Sequence, residues 1–203
     1  MATRDQRARG EIEKIFRAAG IGYGVTTRTG QLKPQAKRAE PADNGAFDWI
    51  LTTELPVTVF DWDRWEFVNE VLLADGMRVP ATGQVPLLDS HNRGSVKDVL
   101  GHVRDFSEAV AGSYPARTGQ VHFAEDADSQ AAKMKVAGGH ITDGSVGYVQ
   151  TKSVWIMDGQ QAAINGKLFD GPLRVTYEWE LREFSLCPIG ADVLAKVRLL
   201  CGN

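Results

Sequence analysis

The sequence predicts a mainly β fold of the α+β class, built as a closed or nearly closed β-barrel with peripheral helices. Many short segments carry strand signals, and helical segments interrupt them too rarely for a parallel α/β sheet. The length of 203 residues and the hydrophobic content of 43% suit one domain with a core of its own. The sequence contains no internal repeat that would indicate a different architecture.

The predicted strands are runs of β-branched, aromatic and other apolar residues that end at turn-forming residues. The first run starts at Phe47, where the folded body is therefore expected to begin. The seven runs are residues 47–52, 57–60, 85–88, 99–106, 120–123, 140–155 and 173–187.

Three segments have apolar residues at helical spacing. In the second of them, Asp128 is placed to cap the start of the helix, and Gly138 with Gly139 is placed to end it. The predicted helices are residues 11–19, 129–136 and 191–200.

The segment 62–73 fits two kinds of structure. Trp65, Val68 and Leu72 have helical spacing, whereas the aromatic residues would also suit an edge strand. The spacing favours a helix.

Residues 1–46 differ from the rest of the chain in charge and composition. The first forty residues carry nine Lys or Arg against four Asp or Glu, and residues 22–45 are polar and contain several turn signals. A basic segment can bind an acidic partner or nucleic acid, but no nucleic-acid motif is present, so nucleic acid is not expected as a partner. We therefore divide the chain into a basic N-terminal helix with an irregular arm, residues 1–46, and a folded domain, residues 47–203.

Composition argues against several classes of protein. No apolar run approaches the roughly 18 residues that span a bilayer, and the first residues lack the apolar core of a signal peptide. These features predict a cytosolic protein without membrane contact. Cys187 and Cys201 are not arranged as C-x-x-C, so neither a disulfide framework nor a thiolate zinc site is expected.

The first candidate for chemistry is His91. The stretch QVPLLDSHNRGSVKDVLGHV runs from an apolar strand into Asp89, Ser90, His91 and Asn92, and then becomes apolar again. Either the strand turns at the surface, or the core delivers His91 to a working site. Asp89 is a candidate to orient His91, because the two residues are two positions apart and share a face.

The second candidate is Ser145, within ITDGSVGYVQ. Gly144 and Gly147 would let the backbone turn tightly and leave the hydroxyl open to an incoming carbonyl, as a nucleophile requires. The G-S-x-G pattern does not match the G-x-S-x-G elbow of α/β-hydrolases. A purely structural turn is the alternative.

The third candidate is Glu183, within LRVTYEWELREFSLCPIGAD. On a regular strand Trp179 and Leu181 share one face and Glu183 continues it, and a carboxylate on an apolar face needs a partner. The alternative is a bulge that swings Glu183 to solvent, because Phe184 and Leu186 are apolar on the opposite parity.

A serine, a histidine and a carboxylate on separate strands suit acyl transfer. Cys187 is a less favoured nucleophile, because it lies on an apolar strand with no histidine near it in sequence. His102, His122 and His140 lack the H-x-H or H-x-x-x-H spacing of metal ligands, so we expect ordinary strand histidines and no metal.

Several of these stretches resemble a known family. The chain resembles the prohead maturation proteases of tailed bacteriophages in three stretches, which occur in the same order and spacing: VPLLDSHNRGSVKDVLGHV, DGSVGY and WELREFSLCPIGAD. The resemblance covers residues 47–198 and is closest to a branch in which VFDWDRWEFVNEVL also has a counterpart, and whose members are often fused to a major capsid protein. These enzymes are similar to the herpesvirus assemblins, which implies an assemblin-like β-barrel with helices around it and a triad of serine, histidine and a third residue.

The resemblance implies a role for each candidate. His91 becomes the general base, Ser145 the nucleophile and Glu183 the orienting acid. In assemblins the third residue is a second histidine that lies four residues before a cysteine, and Glu183 lies four residues before Cys187.

The donors of the oxyanion hole are less closely matched. Assemblins follow the glycine of the last motif with paired arginines, whereas this chain has Ala191 and Asp192. The backbone amides of Gly190 or Ala191 are the candidate donors.

The implied function is that of a serine endopeptidase of procapsid maturation. It would cleave scaffold, or the scaffold-like part of a capsid precursor, and itself, inside assembling procapsids in the cytoplasm of a bacterial host. The resemblance implies a homodimer or higher oligomer and no cofactor. The alternative is a catalytically silent shell or scaffold assembly protein that keeps the protease fold; a small-molecule esterase would need a deep acyl pocket that no sequence feature indicates.

Overall fold

The computed structural model describes residues 41–42, 44–61 and 64–198, and the described residues belong to one compact unit. The helix predicted for residues 11–19 and most of the predicted arm lie outside them. Besides two short 3₁₀ helices, Ala74–Gly76 and Val96–Asp98, this part of the chain contains eleven strands and one α-helix. They are β1 (Phe47–Thr53), β2 (Val57–Asp61), β3 (Glu66–Leu72), β4 (Met77–Arg78), β5 (Val85–Asp89), β6 (Val99–Ala111), β7 (Tyr114–Phe123), α1 (Ala127–Ala137), β8 (Asp143–Ile156), β9 (Gln161–Ile164), β10 (Lys167–Asp170) and β11 (Leu173–Cys187).

The last strand, β11, joins most of the molecule. Along one edge it pairs in parallel with β3, β4 and β5 in turn, and along the other edge it pairs antiparallel with β8 over its whole length. The sheet of nine strands has the order β1-β7-β6-β5-β11-β3-β2, with β4 and β8 attached through β11, while β9 and β10 form a separate hairpin. Residues at the C-terminal end of β11 are therefore flanked by β5 on one side and by the start of β8 on the other.

The predicted closed or nearly closed barrel with peripheral helices is wrong, although the mainly β content is correct. The sheet has two ends, β1 and β2, which do not pair with each other. Beside β1 lies a short irregular segment instead of a further strand: Ile50 donates its amide to the carbonyl of Lys196, and Arg198 donates to that of Asp48. This segment makes only isolated bridges, so it adds no ladder that could close the sheet.

Among the predicted helices, only α1 is confirmed within the described residues. Its cap is Asp126 rather than Asp128: the Asp126 side chain accepts a hydrogen bond from the amide of Ser129 at 3.0 Å. Asp128 lies in the first turn, where a negative charge interacts favourably with the helix dipole. No helix in the described part of the chain is long and apolar enough to cross a membrane.

The helix predicted for 62–73 is wrong, because this segment contains β3. Strand pairing on both edges, with β2 and with β11, overrides the helical spacing of the apolar residues. Trp65, which contributed to that spacing, precedes the strand with a left-handed φ of 56° and is 69% exposed.

The helix predicted for 191–200 is also wrong over the described residues 191–198, which form no helix. Asp192 holds the backbone in another conformation, because its carboxylate accepts hydrogen bonds from the amides of Thr53 and Leu194. The first bond ties the segment to the end of β1, 139 positions away in sequence.

The main core lies against the middle of β11. Trp49 and Trp179 are fully buried in it, and Phe184 packs edge-on against Trp49 with ring centroids 5.6 Å apart. A second cluster of aliphatic residues surrounds the start of the strand. Together the two clusters contact β11 from Leu173 to Leu186 and so fix the position of the polar residues near its C-terminus.

Buried charge joins β3 to the start of β11. Glu70 accepts hydrogen bonds from Arg174 Nη2 at 3.1 Å, from Thr176 at 2.7 Å and from the amide group of Gln150 at 2.7 Å. Arg174 also pairs with Asp61. The Glu70 carboxylate is therefore well compensated despite its burial.

Candidate active site

His91 lies on a strained turn directly after β5. Ser90 and His91 both have left-handed backbone angles, with φ of 50° and 61°, which side-chain-bearing residues adopt only at a cost. Hydrogen bonds from two consecutive amides to β11 hold the turn: Ser90 donates to the carbonyl of Leu186, and His91 donates to Ser185 Oγ, each at 3.0 Å. The polar cluster after β5 is thus docked on β11 and presents the His91 ring over it.

Glu183 is the partner of His91. The residue is 2% exposed, and its Oε1 lies 2.6 Å from His91 Nδ1. Arg93 donates to the same oxygen at 3.1 Å, and the Ser185 hydroxyl donates to Oε2 at 2.8 Å. Burial alone would raise the pKa of Glu183, but the hydrogen bond and charge of His91, with the bonds from Ser185 and Arg93, hold it below its usual value.

A bulge in β11 decides the face on which Glu183 lies. The register against β8 shifts between Leu181 and Glu183, and Leu181 before the shift and Phe184 after it belong to the same core cluster. Glu183 therefore lies on the face opposite to the core. Regular alternation along the strand had predicted that it shares the face of Trp179 and Leu181. The bulge considered as the alternative is present, but it does not bring Glu183 to solvent, because His91 and its turn cover the carboxylate.

Ser145 lies within β8 and not in a turn, so the predicted tight turn is wrong. It pairs with Ser185 in the antiparallel ladder, which places both side chains on the face that carries Glu183. Ser145 is half-buried, and within the described residues its hydroxyl has no hydrogen-bond partner. The structure therefore brings Ser145, His91 and Glu183 to one face of the sheet.

The glycines on either side of Ser145 serve close packing. A Cβ atom at Gly147 would lie 2.0 Å from Glu183 Oε1, and one at Gly144 would lie 2.1 Å from the ring of Phe184. Both glycines are in extended strand without a left-handed φ. Gly147 thus leaves the space that the Glu183 carboxylate occupies.

Cys187 lies closer to His91 than the sequence indicated. Side-chain interactions with Cys187 and with Glu183 raise the pKa of His91 to about 9, although partial burial of the ring lowers it. Cys187 is buried, and it follows Ser185 on the same face of β11. The imidazolium form of His91 therefore persists to higher pH than that of an ordinary histidine.

The two candidate oxyanion donors differ. The amide of Gly190 donates to Asp143 Oδ2 at 3.1 Å and is already engaged. The amide of Ala191 donates to no other group in the described part of the chain. Ala191 also lines, with Ser145, a recess of about 110 Å³.

The walls of this recess are mainly apolar, with Leu51, Leu72 and Val146 among them. Its acidic groups accept hydrogen bonds from the protein: Glu70 from Thr176, and Asp192 from the amide and hydroxyl of Thr53. The recess therefore suits an apolar side chain better than a charged one.

The remaining candidates are placed elsewhere. Asp89 is exposed, and its carboxylate accepts a hydrogen bond from Ser90 Oγ at 2.8 Å rather than from His91. His102 and His122 stack across β6 and β7 with ring centroids 4.9 Å apart. In the described residues, no group of three or more His, Cys, Asp or Glu is arranged to hold a metal ion.

Two residues of this site were missed in the sequence. Ser185 lies two positions after Glu183, and Arg93 lies two positions after His91, so strand alternation and proximity in sequence could have indicated both. Their role depends on the bulge and on the strained turn, which local sequence patterns do not show.

Comparison with known proteins identifies no relative: no family model matches the chain, and neither a curated protein nor a solved structure does.

His91 and Glu183 together resemble a histidine base that is stabilised by a buried negative charge. An imidazole is held by a buried carboxylate at Nδ1, so the proton stays on Nδ1 and Nε2 is left to exchange a proton with another group. The Ser145 hydroxyl lies on the same face, and Ser145 also lines the apolar recess to which Ala191 contributes. Such a set of groups can carry out nucleophilic acyl transfer.

Proposed function

We propose that the protein is a serine endopeptidase of the prohead protease type, with Ser145 as nucleophile, His91 as general base and Glu183 as orienting acid. The observation that carries the proposal is the 2.6 Å contact between His91 Nδ1 and Glu183 Oε1, two residues that lie 92 positions apart. Ser145, on the neighbouring strand, shares their face of the sheet. The substrate would be scaffold or the scaffold-like part of a capsid precursor, and the chain itself, cleaved inside assembling procapsids in a bacterial cytoplasm.

The proposed reaction follows the usual course of acyl transfer. Ser145 Oγ attacks the carbonyl carbon of the peptide bond while its proton passes to His91 Nε2, and Glu183 stabilises the imidazolium. The amide of Ala191 donates to the oxyanion. His91 then gives the proton to the leaving amine, and a water molecule, activated in the same way, hydrolyses the acyl-enzyme.

A serine-directed fluorophosphonate tests this proposal without knowledge of the natural cleavage site. The expected result is a single covalent adduct, which peptide mass mapping locates at Ser145. The protein can also be co-expressed with a capsid precursor encoded beside it. Intact-mass measurement should then show defined cleavage products. A protein that is neither labelled nor able to cleave the precursor would instead be the catalytically silent assembly protein.

The pH dependence follows from the raised pKa of His91. A general base must be neutral, so precursor cleavage is expected to rise about tenfold per unit between pH ~7 and ~8. It should level off above about 9 rather than near the ordinary histidine value of ~6.5. Initial rates from pH ~5 to ~10 measure this midpoint, and a flat profile would exclude His91 as the base.

Cys187→Ala provides a second variant for this prediction. The variant removes the largest contribution to the raised pKa of His91, so the midpoint of the pH profile should fall toward the ordinary value. Precursor cleavage at pH ~7 should then increase, provided that the loss of the buried thiol leaves the fold intact. An unchanged midpoint would show that Cys187 has no influence on His91.

Protonation of His91 lowers the expected activity but stabilises the folded protein. Because the pKa in the folded protein exceeds the ordinary value, the protonated ring stabilises the fold. This contribution is complete below pH ~6.5 and is lost as the pH rises through about 9. Activity should therefore rise over the same pH window in which the unfolding temperature falls.

A further inference from the structure

The Ser185 hydroxyl connects two parts of the candidate site. It is fully buried, it donates to Glu183 Oε2 at 2.8 Å, and it accepts the amide of His91 at 3.0 Å. We propose that Ser185 is a positioning residue. Its single hydroxyl holds the His91 turn and the Glu183 carboxylate in the relative positions in which they contact each other. This inference rests on the proposed function for its effect on turnover, but its effect on geometry can be measured separately.

The His91 turn needs such a restraint. Two consecutive left-handed residues with side chains are energetically unfavourable, so the turn would relax without contacts that hold it. One of its two bonds to β11, from Ser90 to the carbonyl of Leu186, joins backbone to backbone and does not depend on the side chain present. The bond from the His91 amide depends on the hydroxyl of Ser185.

The same hydroxyl orients the acid. A serine hydroxyl has one proton to donate and lone pairs to accept, and here the proton goes to Glu183 while a lone pair receives the His91 amide. With Oε2 held in this way, Oε1 faces His91 Nδ1. The two bonds polarise each other in a buried environment, where a hydrogen bond is stronger than in water.

Ser185 is not itself placed to react. Its side chain is fully buried and both of its bonds are made, whereas its cross-strand partner Ser145 is partly exposed with an unengaged hydroxyl. The two paired serines therefore have different roles: Ser145 is the one that reacts, and Ser185 holds the acid and the base.

Ser185→Ala tests the proposal, with Thr176→Val as the matched control. Thr176 is also fully buried on β11 and also donates to a carboxylate, Glu70, at 2.7 Å, but it lies at the other end of the strand. Both variants lose a buried hydroxyl and should lose similar stability. We expect kcat and the rate of fluorophosphonate labelling to fall about 10- to 100-fold in Ser185→Ala, with KM nearly unchanged, and neither to fall in Thr176→Val.

Two NMR measurements report the geometry independently of turnover. In Ser185→Ala the His91 amide loses its acceptor, so its hydrogen exchange should accelerate, and the low-field proton on Nδ1 that faces Glu183 should shift or broaden. Thr176→Val should leave both signals unchanged. Should Ser185→Ala not fold, Ser185→Cys keeps a weak donor and acceptor of similar size and should show smaller changes of the same kind.

Parental kcat together with unchanged exchange and an unchanged Nδ1 proton in Ser185→Ala would overturn the proposal. Altered NMR signals with parental kcat would also overturn it, because the hydroxyl would then be structural only. If the parent protein is never labelled at Ser145, the proposed function fails, and the NMR signals alone decide whether Ser185 sets the geometry of His91 and Glu183.

Discussion

Ser145→Ala is expected to abolish cleavage of the capsid precursor while leaving the protein folded. Removing the nucleophile of a serine hydrolase costs about six powers of ten in kcat in the best-studied case. The cost to stability should be small, because in the described residues the Ser145 hydroxyl bonds to no other group. Intact-mass measurement of the precursor after incubation with each protein provides the comparison.

Ser153→Ala is the matched control for this experiment. Ser153 lies on the same strand, β8, but is exposed and pairs with Thr176 at the far end of β11. This variant should cleave the precursor at the parental rate. Continued cleavage by purified Ser145→Ala would contradict the assignment, and loss of that residual activity in Ser145→Ala with Cys187→Ala would identify the thiol beside His91 as the nucleophile.

Glu183→Gln is expected to lower turnover by about 10²- to 10⁴-fold without unfolding the protein. All three groups around the carboxylate donate to it: His91, Arg93 and Ser185. A glutamine can keep its carbonyl oxygen toward His91 and Arg93 and point its NH₂ group at Ser185, whose hydroxyl can rotate to accept. The fold is thus retained, but the negative charge that stabilises the imidazolium is lost.

The pH profile adds a second measurement on the same variant. Because Glu183 contributes to the raised pKa of His91, the midpoint of the activity profile should fall in Glu183→Gln. A lower turnover with an unchanged midpoint would mean that Glu183 acts on the fold and not on the base.

Glu178→Gln and Glu180→Gln are the controls for Glu183. Glu178 pairs with Arg78 and Lys152, and Glu180 pairs with Arg182, all at the surface of the sheet. Exposed ion pairs contribute little to stability, so both variants should remain within a few fold of the parent. If all three variants cleave the precursor at the parental rate, Glu183 does not act as the orienting acid.

Strand prediction succeeded where one face of a strand is buried. Residues 173–187 were predicted as one strand with the bounds that β11 has, and residues 85–88 fall within β5. Alternation and β-branched residues act within a few positions, so a short window contains the signal. Segment 62–73 failed because pairing with β2 and β11 outweighs the helical spacing of three apolar residues.

By itself, the sequence determined the mainly β class, the position of most strands, the helix α1 and three residues that the fold brings to one face. Only the tertiary structure decided that the sheet stays open, because that depends on which segment lies beside β1. It also decided that Glu183 leaves the core face and still remains buried, because the bulge in β11 sets its side and the docked turn of His91 covers it. The raised pKa of His91 has the same origin: it arises from contacts with Cys187 and Glu183, more than ninety positions away, that exist only when β5 and β11 are paired.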